Sequence, residues 1–430
     1  MTTLTTATAT STPTAPGTTD LARLVADRAP GFSLDAPFYT SPEVFDLDLA
    51  AVWARSWIFV ATEAEIREPG DFVTVDIGPY SVIVVRDDDE QVSALRNVCR
   101  HRGSRVLTER SGSVGNIVCG YHRWTYATDG TLLHAGDQAP TFDRSCFGLR
   151  RVHVRTVSGL VFVCLADEPP ADVEEMTATV APYLDPHQPL RTKVAAQHDL
   201  VEHANWKLVM ENNRECYHCE GGHPELTCTF FPTYGYDRDR IPARLMPAHE
   251  RYLAAEAELE AACLARGMAF AEVEALEEDR VTAFRVQREA LDGAGESYTL
   301  DGTVASRRLL ADFDTPRLGR ASVHTQPNGW FHFLSDHVVT FAVLPLGPDR
   351  TLVRTTWLVH EDAVEGEDYD LERLTQVWDH TNEEDGEFCA RAQQGVADPA
   401  YIPGPYSPSE RQVESFVAWY VARLRAELAR

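Results

Sequence analysis

Residues 97–104 read Asn-Val-Cys-Arg-His-Arg-Gly-Ser and residues 119–122 read Cys-Gly-Tyr-His, so Cys99, His101, Cys119 and His122 form the run Cys-x-His-x17-Cys-x2-His. Each half supplies one thiolate and one imidazole. Structural zinc sites use the same residue types, but usually as a Cys-x-x-Cys pair with a later His pair. Two Cys and two His divided between two irons are instead the ligand set of a [2Fe-2S] centre whose potential lies far above that of an all-cysteine cluster. The run therefore points to electron transfer. Gly103 and Gly120 lie beside ligands, where small residues let backbone amides approach the sulfurs and tune the potential.

The surrounding chain reads as β structure. Phe72–Ile77, Ser81–Arg86, Asn116–Cys119 and Gly159–Leu165 are short, β-branched segments separated by Gly, Asp and Pro turn signals. The four ligands then sit on loops at one end of a small all-β module, a Rieske-type centre.

With 430 residues and 44% hydrophobic content, the chain has material for two domains. Its formal net charge of −27, with no basic block, excludes a nucleic-acid role. Most of that acidity reads as solvated surface. Nine irregularly spaced cysteines do not form a disulfide framework. Cys216 and Cys219 read as ordinary thiols beside a metal ligand, because no thioredoxin-like βαβ pattern surrounds them. Met1–Thr19, rich in Thr, Ala and Pro, reads as a disordered tail without a signal peptide. No run of about twenty apolar residues appears, so the expectation is a soluble, cytoplasmic protein without a membrane partner. The Glu168-Pro-Pro stretch marks a joint, giving four expected segments: tail 1–19, helical segment 20–54, cluster domain 55–166 and second domain 167–430.

The second domain carries Glu215-x-x-His218-x4-His223. Two His with a carboxylate invite a mononuclear iron reading, since a facial triad leaves positions open for oxygen and substrate. On a regular helix His218 and His223 stand about 140° apart, so the helix must end between them. Gly221, Gly222 and Pro224 supply that break. The third ligand is sought among carboxylates. Glu215 is local, but the segment Trp378 to Cys389 holds five acids on one expected helix. Asp385 and Cys389 each fall within about 20° of Trp378 on the apolar face, whereas Glu383, Glu384 and Glu387 lie about 120–180° away. A carboxylate on a buried stripe needs a metal or a partner, which makes Asp385 the expected ligand. Glu215, three residues before His218, then stands behind that imidazole and fixes its tautomer.

These segments resemble the α subunits of Rieske non-haem iron oxygenases over nearly the whole chain after the tail. The resemblance rests on Asn97–Ser104 with Cys119–His122, on Asn205-Trp-Lys continuing through Glu211–His218 to His223-Pro-Glu-Leu, and on Thr381–Asp385 followed by Gln393-Gln-Gly and Tyr401–Ser407. It implies an α+β fold, in which an all-β Rieske [2Fe-2S] domain joins a helix-grip-like catalytic domain of antiparallel sheet and covering helices. It also implies a homotrimer, in which one subunit's cluster feeds its neighbour's iron. Many members have aspartate where this chain has Glu215, the residue linking a cluster His to an iron His across the interface. Here that bridge would join His122 to His218 of the next subunit.

Glutamate at that position resembles the branch acting on quaternary ammonium compounds such as glycine betaine, proline betaine, carnitine and choline, with glycine betaine closest. The implied cofactors are one [2Fe-2S] cluster on Cys99, His101, Cys119 and His122 and one Fe(II) on His218, His223 and Asp385, with O2 as co-substrate. The implied partner is an NAD(P)H-dependent flavin/iron-sulfur reductase. The chain itself has no Gly-x-Gly-x-x-Gly after a strand, so no nicotinamide or flavin site is expected on it. The implied reaction is hydroxylation of an N-methyl carbon with release of formaldehyde; aromatic ring dihydroxylation and a simple electron carrier are the alternatives. A quaternary ammonium would be recognised by aromatic faces, for which Phe230, Phe231, Tyr234 and Tyr236, or Trp330, Phe331 and Phe333, are candidates. Glu250–Leu310 reads as charged, Ala-rich and helical, without legible chemistry.

Overall fold

The computed structural model describes residues 20–430, and the expected tail disorder lies outside the described residues. Ten short strands build the first half: β1 (Ile58–Thr62), β2 (Asp71–Ile77), β3 (Tyr80–Arg86), β4 (Val92–Arg96), β5 (Ser111–Ser113), β6 (Ile117–Val118), β7 (Thr125–Tyr126), β8 (Leu132–His134), β9 (Arg151–Val157) and β10 (Leu160–Cys164). They form a seven-stranded antiparallel sheet ordered β1-β10-β9-β4-β3-β2-β5 and a three-stranded ribbon ordered β6-β7-β8. Phe72, Ile83, Val85 and Leu95 of the sheet meet Ile117, Trp124, Tyr126 and Leu132 of the ribbon in one apolar cluster. Cys99 and Cys119 belong to that same cluster.

Helices α1 (Leu21–Asp27), α2 (Ala36–Thr40) and α3 (Pro42–Asp48) precede the first strand. The second half adds α4 (Val173–Leu184), α5 (Trp206–Asn213), α6 (Cys219–Gly222), α7 (Met246–Leu264), α8 (Leu371–Val396) and α9 (Arg411–Leu428). Its strands are β11 (Thr192–Glu202), β12 (Val273–Ala275), β13 (Phe284–Glu289), β14 (Arg320–Thr325), β15 (Gly329–Phe333), β16 (His337–Gly347) and β17 (Arg350–His360). They make one antiparallel sheet ordered β11-β17-β16-β15-β14-β13-β12.

Side chains alternate across that sheet, as the two-residue period of a strand requires. Val323, Phe331 and Phe333 go to one face, against α4 and against Phe59 and Phe162 of the first sheet. Trp330, Phe341 and Trp357 go to the other, beneath α5, α8 and α9. Asn328 ties the halves together: its amide accepts from Phe59 N–H (3.0 Å) and donates to Phe59 C=O (2.9 Å).

Helix α5 is anchored at its start. Asn205 caps it by accepting from Lys207 N–H (3.0 Å), and the fully buried Lys207 ammonium pairs with Asp48. Trp206 Nε1 (2.9 Å) and Tyr420 OH (2.6 Å) also donate to that carboxylate, satisfying a charge that burial would otherwise make costly. The far end of α5 is thereby held against α8. The helical pattern expected across Glu250–Leu310 holds only to Leu264, where α7 ends. Gly267, Gly293, Gly295 and Gly302 adopt positive φ beyond it, and β12 and β13 intervene.

Candidate metal centres

The expected cluster ligands lie on two loops of the same construction. Cys99 N–H donates to Ser104 C=O (2.8 Å) and Cys119 N–H to Trp124 C=O (2.9 Å), while Gly103 N–H and Arg123 N–H each return to the cysteine carbonyl (3.0 Å). The fourth residue after each cysteine takes the left-handed conformation, Gly103 at φ 75° and Arg123 at φ 58°. Gly103 therefore answers a backbone demand, whereas Gly120 does not share that conformation. Both cysteines are free and buried, at 3% and 1% exposure. Both imidazoles are exposed, with ring centroids 4.5 Å apart, and Trp124 stacks on His101 at 4.9 Å. Tyr126 OH meets Cys99 Sγ at 3.3 Å. Two thiols inside and two imidazoles outside suit a cluster with one buried and one exposed iron. The pKa of His122 is held down, first by desolvation and then by His101 and Arg102, which favours the neutral ligand form.

The second site forms where α5, α6 and α8 meet. His218 precedes α6 and His223 follows it, so the helix does end between them. Gly222 has an ordinary φ; its role is close approach, because a Cβ there would stand 2.9 Å from the Phe388 ring. His218 Nε2 and His223 Nε2 are 3.0 Å apart, and Asp385 Oδ1 lies 3.3 Å and 3.1 Å from them. Bonds of about 2.1 Å meeting at right angles to tetrahedral angles place ligand atoms about 3.0–3.4 Å apart. The three atoms thus have the spacing of a facial triad.

The backs of the rings explain the polarity of the fronts. His218 Nδ1–H donates to Glu215 Oε1 (2.6 Å) and His223 Nδ1–H to Glu384 Oε2 (2.8 Å). A carboxylate can only accept, so both Nε2 lone pairs face the Asp385 carboxylate, an arrangement that calls for shared positive charge. The electrostatics agree. Desolvation opposes a charged imidazole, yet hydrogen bonds to Asp385 and Glu215 push His218 up to about 10, and Asp385 with Glu384 likewise raises His223. Asp385, which desolvation alone would raise, is held down at about 2 by the two imidazoles. The donor set fits a mononuclear cation such as iron.

Sequence reasoning had not assigned Glu384 or Asn212 a place here. Asn212 Nδ2 donates to Asp385 Oδ1 at 2.6 Å, fixing the carboxylate. Helical phase places Glu384 off the apolar face of α8, but a ring held between two elements is approached from the side. Only the proximity of Asn212 to Glu215 in the chain could have signalled the first. Cys216 and Cys219 are not thiols: they form a disulfide, because the turn between them brings their Cα atoms to 5.0 Å.

A cavity of about 390 Å³ opens beside this triad. Phe230, Tyr234 and Tyr236 line it, as does Trp378, two helical turns before Asp385. Phe231, Trp330, Phe331 and Phe333 instead fill the core. No described helix is long and apolar enough to cross a membrane.

Comparison with known proteins matches residues 56–153 to the Rieske [2Fe-2S] domain and residues 190–426 to the ring hydroxylating alpha subunit (catalytic domain). The chain is 43% identical over 412 residues to the glycine betaine monooxygenase oxygenase subunit of Chromohalobacter salexigens, covering 94% of this chain and 90% of that protein. It is 39% identical over 414 residues to the subunit of the same name from Pseudomonas aeruginosa PAO1, covering 96% and 94%. The fold is shared with the crystal structure of a quaternary ammonium Rieske monooxygenase in complex with L-carnitine, at TM-score 0.66, 20% identity and coverage of 94% and 98%. A naphthalene 1,2-dioxygenase with bound indole shares it at TM-score 0.63, 19% identity and coverage of 92% and 93%. The chain therefore belongs to the Rieske non-haem iron oxygenase α subunits, oxidoreductases that join a [2Fe-2S] domain to an O2-dependent mononuclear iron domain.

Proposed function

We propose that this chain is the oxygenase component of a two-component monooxygenase that removes an N-methyl group from glycine betaine. The observation that carries the reading is the triad of His218, His223 and Asp385, spaced at 3.0–3.3 Å beside an aromatic-lined cavity of substrate size. The whole-length identity to glycine betaine monooxygenase oxygenase subunits supplies the substrate. The charged walls of the cavity, including Arg214, Glu215, Glu289 and Arg320, suit a zwitterion better than an apolar aromatic ring.

Iron bound by the triad supplies oxygen activation. The chain does the remaining work. Glu215 and Glu384 orient the two imidazoles, Asn212 orients the third ligand, and aromatic faces of the cavity receive the quaternary ammonium. The overall reaction consumes the methyl group, O2, two electrons and two protons, and yields a hydroxymethyl ammonium and water. Cleavage of its C–N bond then releases formaldehyde, dimethylglycine and a proton.

Cys99, His101, Cys119 and His122 hold the cluster that receives electrons singly from an NAD(P)H-dependent flavin/iron-sulfur reductase. The assembly is a homotrimer in the cytoplasm, and Glu215 carries electrons from His122 of one subunit to His218 of the next. The domain arrangement in this reading is a helical segment at 20–54, a cluster domain at 55–166 and a catalytic domain at 167–430.

Single turnover tests it: protein reduced without oxygen, then mixed with O2 and glycine betaine, releases about one formaldehyde per mononuclear iron. Coupled turnover of aromatics with no formaldehyde from betaine would replace the reading with ring hydroxylation. Two irons per chain instead of three would leave only an electron carrier.

A further inference from the structure

Five arginines line the cavity beside the triad. Four have carboxylate partners: Arg238 with Glu256 (3.0 Å), Arg285 with Glu272 (2.8 Å), Arg320 with Glu289 (2.8 Å) and Arg411 with Glu274 (2.8 Å). Among the described residues Arg214 has none. Its Nη1 donates to Asn213 Oδ1 (2.6 Å), and its Nη2 donates to Thr325 C=O (3.2 Å) and Gln326 Oε1 (3.0 Å), all neutral acceptors. Its Nε is buried without any partner, and the residue is only 3% exposed. Desolvation, aided by Arg285, lowers its pKa to about 9, so the guanidinium stays charged at neutral pH.

A buried cation facing only neutral acceptors is costly unless an anion completes it. The other cavity arginines already face carboxylates of the protein, which leaves Arg214 to the anion. His324 and His332, on the sheet face lining the same cavity, have Nδ1 atoms without a hydrogen-bond partner among the described residues, and burial holds both imidazoles neutral. The position is also close to the chemistry. Arg214 follows Asn212, which bonds Asp385, by two residues, and it directly precedes Glu215, which bonds His218. Arg214 lines the same cavity as His218, His223 and Asp385, so an anion on it shares that cavity with the triad.

We propose that Arg214 receives the carboxylate of the betaine and makes the site selective for a short zwitterion over an uncharged-tail analogue such as choline. This inference rests on the N-demethylase reading of the same site. Glycine betaine has a single methylene between ammonium and carboxylate, so holding the carboxylate on Arg214 turns the N-methyl groups toward the triad. Choline keeps the ammonium but replaces the carboxylate with a hydroxymethyl group. It leaves the guanidinium unpaired, and a site built to hydrogen-bond a missing group rejects the analogue strongly.

The test compares kcat/KM for glycine betaine and choline, read as formaldehyde release, in the iron-loaded wild type, Arg214→Gln and Arg214→Lys. For Arg214→Gln the expected loss with betaine is about 100-fold, mainly through KM, with choline unchanged or improved, so the preference collapses. Arg214→Lys retains charge without the two-pronged geometry and falls between. Equal losses for both substrates would overturn the inference and leave Arg214 a structural residue. Should Arg214→Gln not fold, glycine betaine and its methyl ester are compared on the wild type and on Arg214→Lys. The ester must be the poorer substrate on the wild type, with the gap narrowed in Arg214→Lys, and an ester as good as the free betaine overturns the inference. A wild type that releases no formaldehyde from betaine defeats the demethylase reading first, a distinguishable outcome.

Discussion

The two metal centres solve opposite problems with overlapping ligands. The four candidate cluster ligands lie on two adjacent loops at the end of a β ribbon, with their cysteines inside and both imidazoles outside. The triad is assembled from the residues that flank α6 at either end and from α8, His223 is 1% exposed, and each of its three side chains is backed by a further polar group: Glu215, Glu384 or Asn212. A centre that must pass electrons to another molecule needs an exposed edge. One that must control oxygen needs ligands that cannot swing and a wall against water.

The largest expected effect separates the centres outright. Cys99→Ser removes the cluster, so visible absorbance of the [2Fe-2S] chromophore vanishes and iron falls from three to one per chain. Asp385→Ala does the reverse, leaving the cluster spectrum intact with two irons per chain. Both abolish formaldehyde release. A cluster spectrum that changed with Asp385→Ala would mean that the centres are not independent units.

Glu215→Gln probes the link between them. The substitution keeps an acceptor for His218 Nδ1 but removes the charge, so both centres stay loaded while electron transfer from cluster to iron slows by about 100-fold. Stopped-flow reoxidation of the cluster in the presence of substrate and O2 measures this. Loss of mononuclear iron from this variant, with iron retained by Asp385→Ala, would exchange the roles given to the two carboxylates.

The same contrast explains what could be read in advance. The cluster was legible because its ligands sit within one short stretch and its loop geometry is local; even so, the left-handed position fell to Arg123 in the second loop, where no glycine marks it. The break between His218 and His223 was legible from helical phase together with Gly221, Gly222 and Pro224, and the approach of Asp385 from its phase on α8. Glu384 was not legible. Phase places a residue relative to its own helix, while the ring it meets belongs to another element. Arg214 carried no local signal either, since its singularity is the absence of a carboxylate partner that each neighbouring arginine has. The disulfide was missed because sequence spacing gives no distance, and the helical reading of residues 250–310 failed where glycines with positive φ end α7.

A smaller effect belongs to the catalytic half alone. Glu211, on the helix that carries Asn212, is partly buried and accepts from Tyr39 OH (2.9 Å). Desolvation raises its pKa to about 7 against an ordinary 4.5, outweighing the Tyr39 hydrogen bond and Lys207, which lower it. Between those values the folded chain keeps a proton that the unfolded chain releases, so stability falls as pH rises through that window, by about 3 kcal/mol in full. Glu211→Gln removes this contribution. Urea midpoints followed at pH 5 and pH 8 check it: the variant loses less stability between them than the wild type, the remainder belonging to the buried Glu202, whose pKa burial raises to about 8.

The smallest expected effect is the most discriminating between the two carboxylates behind the triad. Glu384→Gln retains an acceptor for His223 Nδ1 and, unlike Glu215→Gln, lies behind the more deeply buried imidazole. Removing the negative charge lowers the basicity of His223 Nε2, and iron affinity drops about tenfold, near the low end for partners behind a ligand. Chelator competition measures the loss, while the cluster spectrum and the rate of cluster reoxidation in fully iron-loaded protein stay at wild-type values. Unchanged affinity together with slowed reoxidation would instead put Glu384 on the electron path, and Glu215 would lose its claim to be the sole bridge.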